Sequence, residues 1–200
     1  VAVESGTVFY RETAGAPGST FNQSGVVNVS GGAVLRLGAD GTGNGPFRVE
    51  SGGMVDWTGS YSYILEEGAQ LNGPGVYRVS GGTLAVNGPV PVQNLDLMGT
   101  LGGTNTLTVS NRLNWISGLM SGSGRTLIAP GATLNLTNGV DVLVETRILE
   151  NASRVEWTGA GHLNAGRGAV LTNCEDAVWE VRNDRTFGWN TYGDTPRFDN

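Results

Sequence analysis

A chain of 200 residues, 38% of them hydrophobic, is long enough to bury one continuous core and too apolar to be disordered throughout. Its formal net charge is −6, and its twelve basic residues are all arginine and form no cluster, which argues against nucleic acid and anionic membrane partners. The lack of lysine excludes Schiff-base chemistry and a Lys–Asn isopeptide staple, and the single cysteine, Cys174, excludes an internal disulfide.

Glycine is the outlier, at 33 residues. It lacks the every-third spacing of collagen and sits at the edges of short apolar runs, where turns need positive φ.

Taken in chain order, the pattern starts at once. Val1-Ala2-Val3-Glu4-Ser5-Gly6-Thr7-Val8 already alternates, and residues 1–15 lack the basic start and apolar stretch of a signal peptide. The expectation is a module excised from a longer tandem-repeat protein. Residues 10–24 are polar and turn-rich and read as a lateral excursion. Ser30-Gly31-Gly32-Ala33-Val34 then opens the next strand. Asp40–Gly45 loosely resembles a calcium turn but occurs once, so a hairpin-like turn is expected. Val55-Asp56-Trp57-Thr58-Gly59, Leu113-Asn114-Trp115-Ile116-Ser117-Gly118 and Val155-Glu156-Trp157-Thr158-Gly159 are copies of one phrase. In each, the aliphatic residue and the tryptophan lie two apart and share one strand face, so the tryptophans are read as core.

Between these copies stand Ser80-Gly81-Gly82-Thr83-Leu84, Gly99-Thr100-Leu101 and Gly131-Ala132-Thr133-Leu134. Thr104, Thr106 and Thr108 form one short threonine row that no neighbouring phrase repeats. Ser121-Gly122-Ser123-Gly124 reads as a turn, since no helix follows it. Val140–Leu149 is the nearest approach to a helical period, but Val140, Val142 and Val144 alternate and are β-branched, so a strand is expected. Gly168-Ala169-Val170-Leu171 repeats the opening phrase, and Cys174 after it reads as a small buried hydrophobe. Residues 183–197 are a second polar excursion, whose Trp189 and Tyr192 are the candidates for exposed ligand contacts.

Self-similarity at a near-constant step marks a stacked repeat. Gly32 to Gly53 is 21 residues, Gly82 to Gly99 is 17 and Gly99 to Gly118 is 19. A β-sandwich gives no reason for such repetition; a parallel β-helix returns the chain to the same place one strand spacing further on. The expected fold is all-β: a single-stranded right-handed parallel β-helix of about nine or ten coils, in one domain spanning residues 1–200, with right-handed winding from the crossover rule. Its core should include Val8, Val34, Val55, Leu84, Leu101, Leu134 and Val170.

Val3-Glu4-Ser5-Gly6-Thr7, Ser80-Gly81-Gly82-Thr83-Leu84, Trp115–Gly124 and Trp157-Thr158-Gly159 resemble repeat modules of very large bacterial surface proteins. Those modules are similar to autotransporter passengers and filamentous adhesin rods with a pectin-lyase-like parallel β-helix. The resemblance implies an extracellular or cell-surface structural role beside adjacent modules of the same protein, and no catalytic residues or cofactors.

The alternative is a polysaccharide-binding or polysaccharide-cleaving β-helix, similar to a lyase, a glycosidase or a phage tailspike, and cleavage needs convergent groups. Glycoside hydrolysis needs two carboxylates about 5–10 Å apart. Glu50, Asp56, Glu66, Glu67, Asp141, Glu145, Glu150 and Glu156 are the candidates by spacing, and none forms a repeated acidic phrase. The single histidine, His162, sits in a turn entering a strand and reads as a turn residue rather than a general base. One Cys and one His cannot make a usual zinc site, so no metal is expected. Four Asn-x-Ser/Thr sequons, at Asn22, Asn28, Asn135 and Asn151, matter only in a glycosylating host. The expected function is a non-catalytic structural or adhesive rod segment. Its partners would be neighbouring modules and carbohydrate or a host surface, with no nucleic acid and no membrane insertion.

Overall fold

The computed structural model describes residues 1–11, 18–189 and 193–200. Tyr192, and residues 12–17 of the first expected excursion, lie outside them. Among the described residues there are strands, turns and no helix, and the strand pairings are parallel throughout. The chain is a β-solenoid of three strand stacks.

The first stack starts at Ala2–Val3, Val27–Val29 and Pro46–Val49 and ends at Arg197–Asp199. The second runs from Thr7–Arg11, Val34–Gly38 and Met54–Trp57 to Val178–Val181. Midway, Gln70–Val79, Val90–Leu97 and Thr106–Trp115 pass through both stacks, with a register shift between Val92 and Asn94. The third stack is a separate sheet of eight strands, from Gly41–Gly43 to Phe187–Trp189. The first stack reaches ten strands while the third has eight. Complete turns therefore number about eight, fewer than the nine or ten counted from glycine phrases. The phrases at each end supply parts of turns only.

The inward rows are unbroken ladders. One runs Val8, Leu35, Val55, Tyr77, Leu95, Leu113, Leu134, Val155, Trp179. Its neighbour runs Tyr10, Leu37, Trp57, Val79, Leu97, Trp115, Leu136, Trp157, Val181. Trp57, Trp115 and Trp157 are buried, as their shared face with an aliphatic residue requires. Val55, Leu84, Leu101 and Leu134 are buried as expected.

Three expected core residues are not. Val34 and Val170 face outward, because Ala33 and Ala169, preceding them, take the inward position at the turn, followed by Leu35 and Leu171. The Gly-Ala phrase starts its strand one residue earlier in phase than the Gly-Thr phrase, and a one-residue slip exchanges faces. Val8 lies in the inward row but is 46% exposed, since among the described residues its strand pairs on one side only, with Val34–Gly38.

The Asp40–Gly45 segment holds a strand, Gly41–Gly43, rather than a hairpin-like turn. Gly41–Gly43 pairs in parallel with Tyr63–Leu65. Glycine is needed at both ends of it: a Cβ on Gly41 would meet the Phe21 carbonyl oxygen at 2.1 Å, and one on Gly43 would meet the Tyr63 hydroxyl at 2.7 Å. The room goes to the buried Tyr63 ring. The expected excursions are also partly regular. Tyr10 and Arg11 end a strand, Thr20 and Gln23 bridge to Asp40 and Gly43, and Phe187–Trp189 forms the last strand of the third stack.

Candidate functional site

Most of the carboxylates singled out by spacing are committed singly. Asp56 pairs with Arg36 at 3.7 Å, Glu145 with Arg167 at 3.4 Å, and Glu150 with Arg125 at 3.0 Å. Glu156 pairs with Arg154, Asp141 accepts the His162 amide, and Glu50 accepts the Gly31 amide at 3.1 Å. No three metal-capable side chains meet among the described residues. His162 Nδ1 accepts the Thr186 amide at 3.0 Å, so this nitrogen ties one turn to the next. Cys174 is partly buried rather than buried. It follows Asn173, which continues the inward row of Ile128 and Asn151, and its Sγ lies 4.0 Å from Glu150 Oε1.

Along the outer side of the second stack the polar side chains form a ladder. Arg78 reaches Asp96 at 3.2 Å, Asp96 accepts from Asn114 at 2.8 Å, and Asn114 accepts from Asn135 at 2.9 Å. Arg154 bridges Glu156 and Glu180, and Arg182 holds Glu180 from the other side, lowering the Glu180 carboxyl below its usual range. A second amide ladder ends the first stack: Asn151 donates to Asn173, and Asn173 to Asn200, each at 2.8 Å.

One cation stands inside the solenoid. Arg147 is fully buried, with no carboxylate partner among the described residues. Its Nε donates to Thr126 Oγ1 at 2.8 Å, and its terminal nitrogens donate to the carbonyls of Ser121 at 3.0 Å and Arg125 at 3.1 Å. Burial lowers its pKa to about 10. Nothing in Glu145-Thr146-Arg147-Ile148 announces this in the sequence, where an arginine after two polar residues reads as a surface turn.

Trp189, the described member of the two aromatic candidates, is 55% exposed. It lines a shallow cleft of about 440 Å³ with Asp141, Val142, Leu143 and Asn164. Two further concavities were not visible from spacing. A groove of about 370 Å³ runs over Asn28, Arg48 and Asn72, walled by Ser30, Glu50 and Pro74. An apolar hollow of about 420 Å³ at the C-terminal end is lined by Trp157, Leu163, Trp179, Val181, Phe187 and Phe198 with Asn200. No protein family, curated protein or solved structure gives a significant match to this chain.

Proposed function

We propose that the chain is a structural or adhesive rod segment of a secreted or cell-surface bacterial protein, working without catalysis beside neighbouring modules. The outer polar ladder carries this reading. Many of the side chains that could do chemistry there are spent on tying one turn to the next, as in Arg36–Asp56, Arg78–Asp96 and Arg154–Glu180. Buried inward rows and outer ion-pair rows along the same strands stiffen the stack. The bacterial surface assignment rests on the resemblance of the Ser-Gly-Gly and Trp-Thr-Gly phrases. Incubation with pectin, alginate and other uronic-acid polymers tests the non-catalytic part. No unsaturated or reducing ends should appear, and their release, abolished by a single carboxylate substitution, would overturn it.

A second reading, carbohydrate contact, is favoured by Trp189. A half-exposed indole beside Asp141 and Asn164 offers a face for sugar stacking and polar groups for hydroxyls. A glycan array with wild-type protein and Trp189→Ala decides it: signals lost in the variant support the contact, and unchanged signals remove it.

A further inference from the structure

We infer that the groove over Asn28, Arg48 and Asn72 is a binding site for a singly charged acidic saccharide, a sugar ring bearing one carboxylate. This goes beyond the rod reading and does not depend on Trp189.

The three side chains are strand partners on successive turns: Asn28 pairs with Arg48, and Arg48 with Asn72. They face outward in one row, about 10 Å from end to end over two strand spacings. The notch beside them is built by the backbone. The two earlier turns leave the first stack through Ser30-Gly31-Gly32 and Glu50-Ser51-Gly52, whereas the next turn passes straight through in Gln70–Val79. There Gly73, at φ 96°, lets the chain hug the turn below, since a Cβ on it would meet the Val49 carbonyl oxygen at 2.3 Å. Pro74 then closes one wall.

Arg48 is uncommitted where its sequence pattern would pair it. Arg154-Val155-Glu156, Glu180-Val181-Arg182 and Arg197-Phe198-Asp199 each close an ion pair two residues along the strand, at 2.6–2.7 Å. Arg48-Val49-Glu50 does not, because Glu50 Oε2 accepts the Gly31 amide instead. Among the described residues Arg48 has no ion-pair partner, and its side chain is exposed in the groove.

The chemistry of the lining selects the ligand. A guanidinium fork matches a carboxylate bidentately. Asn28 and Asn72 flank it with amides that both donate and accept, as hydroxyl groups require. Asn72 is pre-oriented by donating to Gln70 Oε1 at 2.9 Å. Pro74 supplies an apolar wall for the ring. Glu50 at the lip, and a net charge of −6, repel dianions and polyanions such as phosphate or nucleic acid. A carboxylate on a hydroxyl-rich ring satisfies all of these together.

The test is an NMR titration of the full chain with glucuronate, glucose and inorganic phosphate in parallel. Glucuronate should shift the amides around Asn28, Arg48 and Asn72 and bind at least tenfold more tightly than glucose or phosphate. Arg48→Gln should weaken glucuronate at least tenfold while leaving the far-UV spectrum and thermal midpoint unchanged, since the side chain is exposed. Glu50→Gln should improve phosphate binding. Trp189→Ala should leave glucuronate affinity unchanged, which separates this site from the aromatic cleft. Equal binding of glucose and glucuronate, tighter binding of phosphate, unchanged affinity in Arg48→Gln, or no shifts at these amides would each overturn the proposal.

Discussion

Arg147 Nε donates to Thr126 Oγ1 across 2.8 Å, and both residues are fully buried. Thr126 stands in the inward row between Leu107 and Leu149, where its neighbours are aliphatic. The hydroxyl is therefore matched to the guanidinium, which also satisfies carbonyls of the preceding turn at Ser121 and Arg125. Arg147→Met removes a buried charge but strands these acceptors, and each unsatisfied buried polar group costs about 1–3 kcal/mol. A net destabilisation of at least about 2 kcal/mol is expected in denaturant unfolding. Combined with Thr126→Val, the loss should be less than the sum of the two, because the hydroxyl no longer needs a partner. Strict additivity would show that the pair does not interact.

The corner before Arg147 holds a strained residue. Thr146 has φ 57°, unfavourable for a β-branched side chain. Thr146→Asn should tolerate this conformation better and raise stability by roughly 0.5–1 kcal/mol. A lower unfolding midpoint would mean that the Thr146 hydroxyl bond to the Glu145 carbonyl outweighs the strain.

The tryptophan rows should respond by position. Trp115 is completely buried between Leu97 and Leu136, in the middle of the stack. Truncation to alanine should cost about 3–5 kcal/mol. Trp157 is 2% exposed but lines the open apolar hollow at the C-terminal end, so Trp157→Ala should cost less than Trp115→Ala. Equal costs from thermal melts of the two variants would contradict the gradient.

Alkaline pH should weaken the fold. Burial raises the Tyr63 and Tyr77 hydroxyls above their ordinary value of 10.0. A folded pKa above the unfolded one gives stability that is complete below about pH 10 and is lost as pH rises further. Arg147 acts in the opposite sense: its folded pKa is lowered from its ordinary value to about 10, so the unfolded chain binds the proton more tightly and stability rises as pH climbs above about 10. Tyr77→Phe should flatten the alkaline loss and Arg147→Met should steepen it. Urea midpoints at pH 8 and above pH 10 check both signs.

Protection from hydrogen exchange should be graded along the rod. Val8 and Phe9 at one end, and Val181 and Phe198 at the other, are 41–50% exposed although all but Phe9 stand in core rows. Residues 1–10 and 193–200 should exchange fast and the strands between residues 80 and 140 slowly. Uniform protection to both ends would contradict this gradient.

The sequence by itself determined the repeat, the parallel all-β class and the inward tryptophans, because a period of two and a recurring Val/Leu-x-Trp phrase are local properties of the chain. It did not determine phase at the Gly-Ala phrases: Ala33 is small enough to pass for a turn residue, yet it faces inward and puts Val34 outside. Nor did it reveal Arg147 or the Arg48 groove. Whether an arginine finds a carboxylate, a cradle of carbonyls or open space depends on what the turns above and below place beside it. Gly102, Ser121 and Thr126 reach Arg147 from 21 to 45 residues away. Only the stacking register brings those groups together, and register is a property of the whole solenoid.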